Sequence, residues 1–230
     1  MTKIQFVISV YGDEYVPLLS VCLDSLSREH PDDRVTVVWD QINGTEIKLL
    51  QTRFREVMFQ KQEQGITHLD IRKRIPLKLR FWAEITNRFK EEIICFLDSD
   101  TLVYKNITPY VQGEFDLLFT WKNETFPLNV GVVIIKNSQK IKKFLDLWHK
   151  HTEDIVNNEN LLESACARHG AADQQALADL IGIPTYENEI IRTFDFGNIC
   201  FKGVPCDELN QINIVPVDSG ASIFHYKTGW

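Results

Sequence analysis

The residues best equipped for chemistry are Asp98, Ser99 and Asp100, which end the unbroken apolar run Ile93-Ile94-Cys95-Phe96-Leu97. An apolar run that short, stopped abruptly by polar residues, reads as a buried strand. On extended backbone, side chains two apart share a face, but both carboxylates can reach one point at a strand's end only if the chain turns at Ser99. Carboxylates that converge at the carboxyl end of a buried strand suit a hard divalent cation. That edge is also where open α/β sheets bind their ligands. The plainer alternative is a strand followed by a polar turn, with Asp98 capping and Asp100 solvated.

Three further positions carry groups of the right kind. Pro127-Leu128-Asn129-Val130-Gly131-Val132-Val133-Ile134-Ile135 places an amide and a glycine at the mouth of a second buried strand. The amide offers both a donor and an acceptor to a hydroxylated ligand, and glycine lets backbone approach closely. Asp173-Gln174 opens a helix, where the acid serves equally well as an N-terminal cap. His225 follows Ile223-Phe224 near the end of the chain, and with two aspartates already proposed it is the natural third ligand.

The elements that must position these residues alternate. Lys3–Val10 predicts a strand, Tyr11-Gly12-Asp13-Glu14-Tyr15 a break, and Pro17 onward an amphipathic helix through Leu19, Cys22, Leu23 and Leu26. Val35–Trp39 predicts a strand, Thr45 to about Gln60 a helix, Ile66–Ile71 a weaker strand, and Pro76 opens a helix carrying Leu79, Trp82 and Phe89. After Ile93–Leu97, strands are expected at Phe115–Trp121 and Val130–Ile135, and helices at Lys140–Val156 and Ala172–Ile181. Beyond Pro184 short strands are expected near Ile190–Phe194, Ile212–Val217 and Ser222–Tyr226. Alternating βαβα segments imply an α/β domain with a mostly parallel sheet and helices on both faces. A chain of 230 residues suits a single domain over 1–230.

Composition narrows the function classes. A net charge of −7 and a pI near 5.4 count against nucleic acid as a partner. The five cysteines form no Cys-x-x-Cys pair and their number is odd, which fits reduced thiols in a reducing, cytoplasmic setting. No run approaches the roughly 18 apolar residues of a membrane span, and no basic, then apolar leader opens the chain. The Asn-x-Thr triplets at Asn43, Asn106 and Asn123 are then chance matches to the glycosylation pattern.

The order Asp-x-Asp, Asn-x-Gly, Asp-Gln, His resembles the family 8 glycosyltransferases, which include glycogenin and the bacterial lipooligosaccharide galactosyltransferases. Tyr11–Tyr15 looks like that family's nucleotide-binding loop, and Pro76-Leu77-Lys78-Leu79-Arg80-Phe81-Trp82 like its Lys/Arg-bearing helix, so the resemblance spans nearly the whole chain. It implies the Rossmann-like nucleotide-diphospho-sugar transferase fold of the A type, with a nucleotide half over about 1–105 and a sugar and acceptor half over about 106–230. It also implies that Asp98, Asp100 and His225 hold Mn²⁺ or Mg²⁺, and that a UDP-sugar is the donor. Val10, Tyr11 and Ser99 would line the nucleotide site, Tyr15 would stack on the base, and Asp13 would sit by the base or ribose. Lys78 would face the donor, and Asn129, Gly131, Asp173 and Gln174 would surround the sugar, with a glycan or other hydroxyl compound as acceptor. Catalytic roles would fall to Lys78, Asp173 and Gln174.

Departures are visible too. The family closes on His-x-x-Gly-x-x-Lys-Pro-Trp, whereas this chain reads His225-Tyr226-Lys227-Thr228-Gly229-Trp230, which leaves Lys227 out of register for a diphosphate contact. Glycogenin-like members carry an acid at the place of Gly170, and glycogenin's self-glucosylated tyrosine has no clear counterpart. The family retains configuration at the transferred sugar.

Other readings use the same residues. An aspartyl-phosphate phosphatase calls for Asp-x-Asp-x-Thr, but Thr101 stands one place early and Leu102 occupies the threonine place. A sugar nucleotidyltransferase calls for a Gly-rich basic loop after the first strand, where this chain has only Gly12. A glycan-binding protein on an inactive transferase fold would have no need of Asp98, Asp100 and His225 together. Gly-x-Ser-x-Gly and Walker-type loops are absent from the sequence, which counts against hydrolase and ATPase chemistry.

Overall fold

A computed structural model describes residues 3–62, 71–122, 127–182, 192–212 and 220–226. The first half alternates strongly: β1 (Ile4–Tyr11), α1 (Val16–Glu29), β2 (Arg34–Asp40), α2 (Gly44–Arg53), β3 (Met58–Lys61), α3 (Ile71–Thr86) and β4 (Ile93–Asp98). The second half adds β5 (Thr101–Val103), β6 (Leu117–Trp121), β7 (Leu128–Lys136), α4 (Gln139–Val156), α5 (Glu159–His169) and α6 (Ala172–Ile181). It closes with β8 (Arg192–Phe196), β9 (Ile199–Pro205), α7 (Cys206–Leu209), β10 (Asn210–Ile212) and β11 (Ile223–His225).

Eight strands form one sheet in the order β3-β2-β1-β4-β7-β6-β9-β8. The pairings β3–β2, β2–β1, β1–β4 and β6–β9 are parallel, and β4–β7, β7–β6 and β9–β8 are antiparallel. Both faces are covered, so β4 is apolar at every residue from Ile93 to Leu97 rather than at every second one. Along β4, Ile94 and Phe96 pack beneath α3 to α6, while Ile93, Cys95 and Leu97 pack beneath α1 and α2. Trp82 of α3 stacks on Phe96 with centroids 4.3 Å apart, and Trp148 of α4 meets it edge-on at 6.0 Å. Burying aromatic surface of that size supplies several kcal/mol, about 1.5–3 per fully buried side chain.

Local structure departs from the sequence expectation in places. The helix after Thr45 ends at Arg53, not near Gln60, and Met58–Lys61 is the edge strand β3. Phe54 caps the helix by giving its N–H to the Leu50 carbonyl, and the next residues gain more from pairing with β2 than from another helical turn. Of the expected strand Ile66–Ile71, positions 66–70 lie outside the described residues and Ile71 already starts α3. Pro76 therefore sits inside α3, where it removes one i→i−4 bond without ending the helix. The elements α5, β9 and α7 are findings of the structure alone, and residues 213–217 of the expected strand after Ile212 lie outside the described residues.

Candidate active site

The chain turns at Ser99 between β4 and β5, which brings Asp98 and Asp100 to the same side of the sheet edge. The geometry of this turn is held from behind. The Thr101 hydroxyl donates to the Asp98 carbonyl at 2.8 Å, and Thr101 lies 3.5 Å from the Cys22 sulfur of α1. Burial pushes that thiol up to about 12, so it stays protonated.

His225 arrives by strand pairing. β11 runs antiparallel to β5, with His225 opposite Thr101 and Phe224 opposite Leu102, and β10 runs parallel on its far side. The Tyr226 N–H donates to the Asp100 carbonyl at 2.8 Å, locking the two segments together. The imidazole Nε2 then lies 3.1 Å from an Asp100 oxygen and 3.8 Å from an Asp98 oxygen. Asp98, Asp100 and His225 offer three donor atoms within 4.8 Å of one another.

Lys78 of α3 joins this cluster to a third carboxylate. Its ammonium lies 3.2 Å from Asp98 and 3.0 Å from Asp173, the second residue of α6. Burial opposes the charged form, yet Asp173 and Asp98 more than offset it and hold the Lys78 ammonium above its usual pKa. Asp173 is itself held by α6, whose Gln174 N–H donates to its carboxylate at 2.9 Å. The Trp148 indole N–H donates to the Asp173 carbonyl at 2.8 Å, and the Gln174 amide donates to the His169 carbonyl.

These groups line a cleft of about 320 Å³ at the carboxyl ends of β1 and β4 and the start of β7. The expected residues Tyr11, Tyr15, Lys78, Asp98, Ser99, Asp100, Asn129, Gly131, Asp173, Gln174 and His225 all border it. Val10 does not, because its side chain packs in the core beneath α1. Asp13 does not either: its carboxylate accepts the Asn43 N–H at 2.6 Å, tying the loop after β1 to the start of α2. Lys227 lies outside the described residues. Ser9, Arg74, Val130, Gly170 and Ala171 also line the cleft, beyond the site residues expected from the sequence. Arg74 was legible in principle, since it stands one helical turn before Lys78 on the same face.

Tyr15 sits on a short 3-10 turn, Asp13–Tyr15, that follows Gly12 at φ 92°. Burial and then the Asp100 charge hold its hydroxyl protonated. Tyr11 stacks on Phe81 with centroids 5.7 Å apart. Asn129 has its amide oxygen turned inward, accepting from Gly131 N–H at 2.8 Å and from the Asn210 amide at 2.7 Å. Since the backbone N–H can only donate, the Asn129 oxygen is assigned there, and its NH₂ is the end left for a ligand.

The cleft has a charge imbalance. Asp98, Asp100 and Asp173 face two permanent cations, Arg74 and Lys78. A phosphate-bearing ligand entering a cleft with surplus negative charge needs a further cation. The donor set fits one: the donor atoms of Asp98, Asp100 and His225 lie within 4.8 Å of one another, and oxygen and imidazole donors suit Mg²⁺ or Mn²⁺.

No protein-family model matches the chain, and no curated protein does. Solved structures do. The chain is similar to galactosyltransferase LgtC, solved in complex with donor and acceptor sugar analogs, at a TM-score of 0.61 and 17% identity over 96% of this chain and 86% of that one. The chain has a glycosyltransferase fold. A glycosyltransferase involved in glycosylation of the major capsid of PBCV-1 shares this fold at a TM-score of 0.56 and 12% identity, covering 99% of this chain and 94% of that one. The glycosyltransferase GlyE of Streptococcus pneumoniae TIGR4 shares it at 0.55 and 18%, over 79% of this chain and 44% of that larger one. At such identities the glycosyltransferase fold is what is held in common. Among the described residues no helix is long and apolar enough to cross a membrane.

Proposed function

We propose that this chain is a metal-dependent glycosyltransferase that moves a hexose from a UDP-sugar to a hydroxyl of a glycan or other acceptor, with retention at the anomeric carbon. The observation that carries this reading is the meeting of Asp98, Asp100 and His225 beside the Lys78–Asp173 pair, in a cleft on a glycosyltransferase fold. Asp98, Asp100 and His225 would hold Mn²⁺ or Mg²⁺, which supplies Lewis-acid stabilisation of the departing diphosphate. The sequence halves divide accordingly, with the nucleotide over about 1–105 and sugar and acceptor over about 106–230.

The chain's own groups do the rest. Lys78 keeps its proton and places a fixed positive charge where diphosphate charge develops as the anomeric bond breaks. Arg74 lies on the same helix face and faces the same cleft. Tyr15 offers a half-buried ring for the nucleobase. Asn129 donates to a sugar oxygen, and Asp173 accepts from sugar hydroxyls. One solved neighbour is an active-site mutant of LgtC in which glutamine is replaced by glutamate, and Gln174 is the glutamine of this cleft. As the bond from anomeric carbon to phosphate oxygen breaks, the acceptor oxygen bonds that carbon from the same face. The leaving phosphate oxygen takes the acceptor's proton, so no enzyme base is required. Lys227 stands out of register with the family's closing lysine, and a diphosphate contact for it rests on the resemblance alone.

The direct test is calorimetric titration of UDP with Mn²⁺ and with EDTA. Chelation should weaken binding about tenfold or more, or about 1.4 kcal/mol. Equal affinity under both conditions would remove the metal from the proposal. In the same assay Tyr15→Ala should weaken UDP and UDP-sugar alike, about tenfold, with kcat nearly unchanged, the pattern of uniform binding. A fall in kcat at constant KM would place Tyr15 at the chemistry instead.

A further inference from the structure

The metal-ligating arrangement proposed above has an unusual support. A ligating histidine ordinarily gives its second ring N–H to a carboxylate or carbonyl, which fixes the ring's orientation. The Nδ1 atom of His225 is buried and has no hydrogen-bond partner among the described residues. Asp98 and Asp100 face the Nε2 side of the ring, and on the Nδ1 side orientation is left to shape.

Gly131 supplies the shape. A Cβ built there would lie 2.5 Å from His225 Nδ1 and closer still to Cε1, where ordinary contacts are 3.4–4 Å. Both residues are tied locally. Gly131 sits in β7 where its register against β6 shifts, and its N–H donates to the Asn129 side chain at 2.8 Å. His225 is paired to Thr101 of β5, and the next residue's N–H is bonded to Asp100. The residue is 5% exposed, and the space its ring borders is the cleft.

We infer that Gly131 is a positioning residue that seats the His225 imidazole against Asp98 and Asp100, in place of the missing hydrogen bond to Nδ1. This rests on the proposed metal site for its consequence, but not for its geometry. Any side chain at position 131 displaces the ring from the two carboxylates. The glycine of the Asn-x-Gly segment thus serves the far end of the chain, 94 positions along by subtraction of 131 from 225.

A double-mutant cycle on the full chain tests it, because the clash exists only while the ring does. Gly131→Ala alone should lower the metal-free melting temperature by about 3–10 °C, as overpacking does in a chain of this size. In a His225→Ala background the same substitution should cost little, since two of the three atoms nearest the new methyl belong to the ring and the third, the Asn129 oxygen, stands at 3.1 Å. Mn²⁺ binding, followed by the loss of the free-ion electron paramagnetic resonance signal, should weaken about tenfold or more in Gly131→Ala. Adding His225→Ala should weaken it little further. If Gly131→Ala does not fold, recovery of a folded double variant supports the seat, and failure of both overturns it. Equal melting losses in both backgrounds overturn it as well, as does unchanged Mn²⁺ affinity in a folded Gly131→Ala protein whose parent binds the ion. If the parent chain binds no Mn²⁺, the metal reading falls, and the metal-free melting cycle alone still decides whether Gly131 seats the ring.

Discussion

Asp100→Asn is expected to abolish sugar transfer, lowering kcat by about three orders of magnitude, or about 4 kcal/mol of transition-state stabilisation. The substitution keeps the size of the side chain and removes its charge. It leaves the Asp100 carbonyl, which accepts the Tyr226 N–H, untouched. The fold should therefore survive, because the side chain stands at a turn on the cleft rather than in the core. What it loses is an anionic donor 3.1 Å from His225 Nε2. Sugar-nucleotide hydrolysis with water as acceptor gives the readout without knowledge of the natural acceptor, and a melting curve checks the fold. A variant that folds and turns over at near parental rate would exclude the carboxylate from the chemistry.

Lys78→Met should produce the largest loss of stability in the cleft, about 3–5 kcal/mol, because it strands a buried carboxylate. Asp173 is 1% exposed, and Lys78 is its ion-pair partner at 3.0 Å. Burial already raises the Asp173 carboxyl against the pull of Lys78, and removing the lysine leaves burial opposed chiefly by the Gln174 N–H. The sign of the pH dependence follows. With its folded pKa raised, Asp173 binds a proton more readily in the native state, so the penalty is present above that raised pKa and relieved as pH falls toward the ordinary carboxylate range. The gap between Lys78→Met and the parent should thus be wider at pH 8 than at pH 5. Asp173→Asn added to Lys78→Met should recover much of the loss. Urea unfolding at the two pH values measures both effects. A gap independent of pH, with no recovery in the double variant, would show that Lys78 stabilises by packing against Trp82, whose ring centroid is 5.5 Å from its ammonium.

Much of this site could be read from residue type and order. Asp98 and Asp100 stood out because an apolar run stops at two charges, and a buried strand can end in charge only at its open edge. Asp173-Gln174 was legible as a helix start, and Lys78 as a basic residue on an amphipathic helix. Arg74 lies before Pro76, where the sequence pattern starts the helix, whereas α3 begins at Ile71 and carries Arg74 and Lys78 on one face. The end of α2 was misplaced for a related reason. Ile47, Leu50, Phe54 and Val57 keep helical spacing, but the open edge of β2 captures Met58–Lys61 as a strand, and a tertiary hydrogen-bonding partner outweighs a local period.

By itself, then, the sequence determined the α/β class, the strand that ends at Asp98, and the chemistry of the groups at its tip, because burial pattern and side-chain charge are local properties. Only the tertiary structure decided which of those groups meet. Asp173 reaches Asp98 through the ammonium of Lys78, His225 reaches Asp100 through the pairing of β11 with β5, and Val10 and Asp13 turn to the core and to α2 instead of the cleft. The role of Gly131 was likewise out of reach. A glycine's purpose lies in what would collide with its absent side chain, and here that neighbour, the ring of His225, comes from the other end of the chain.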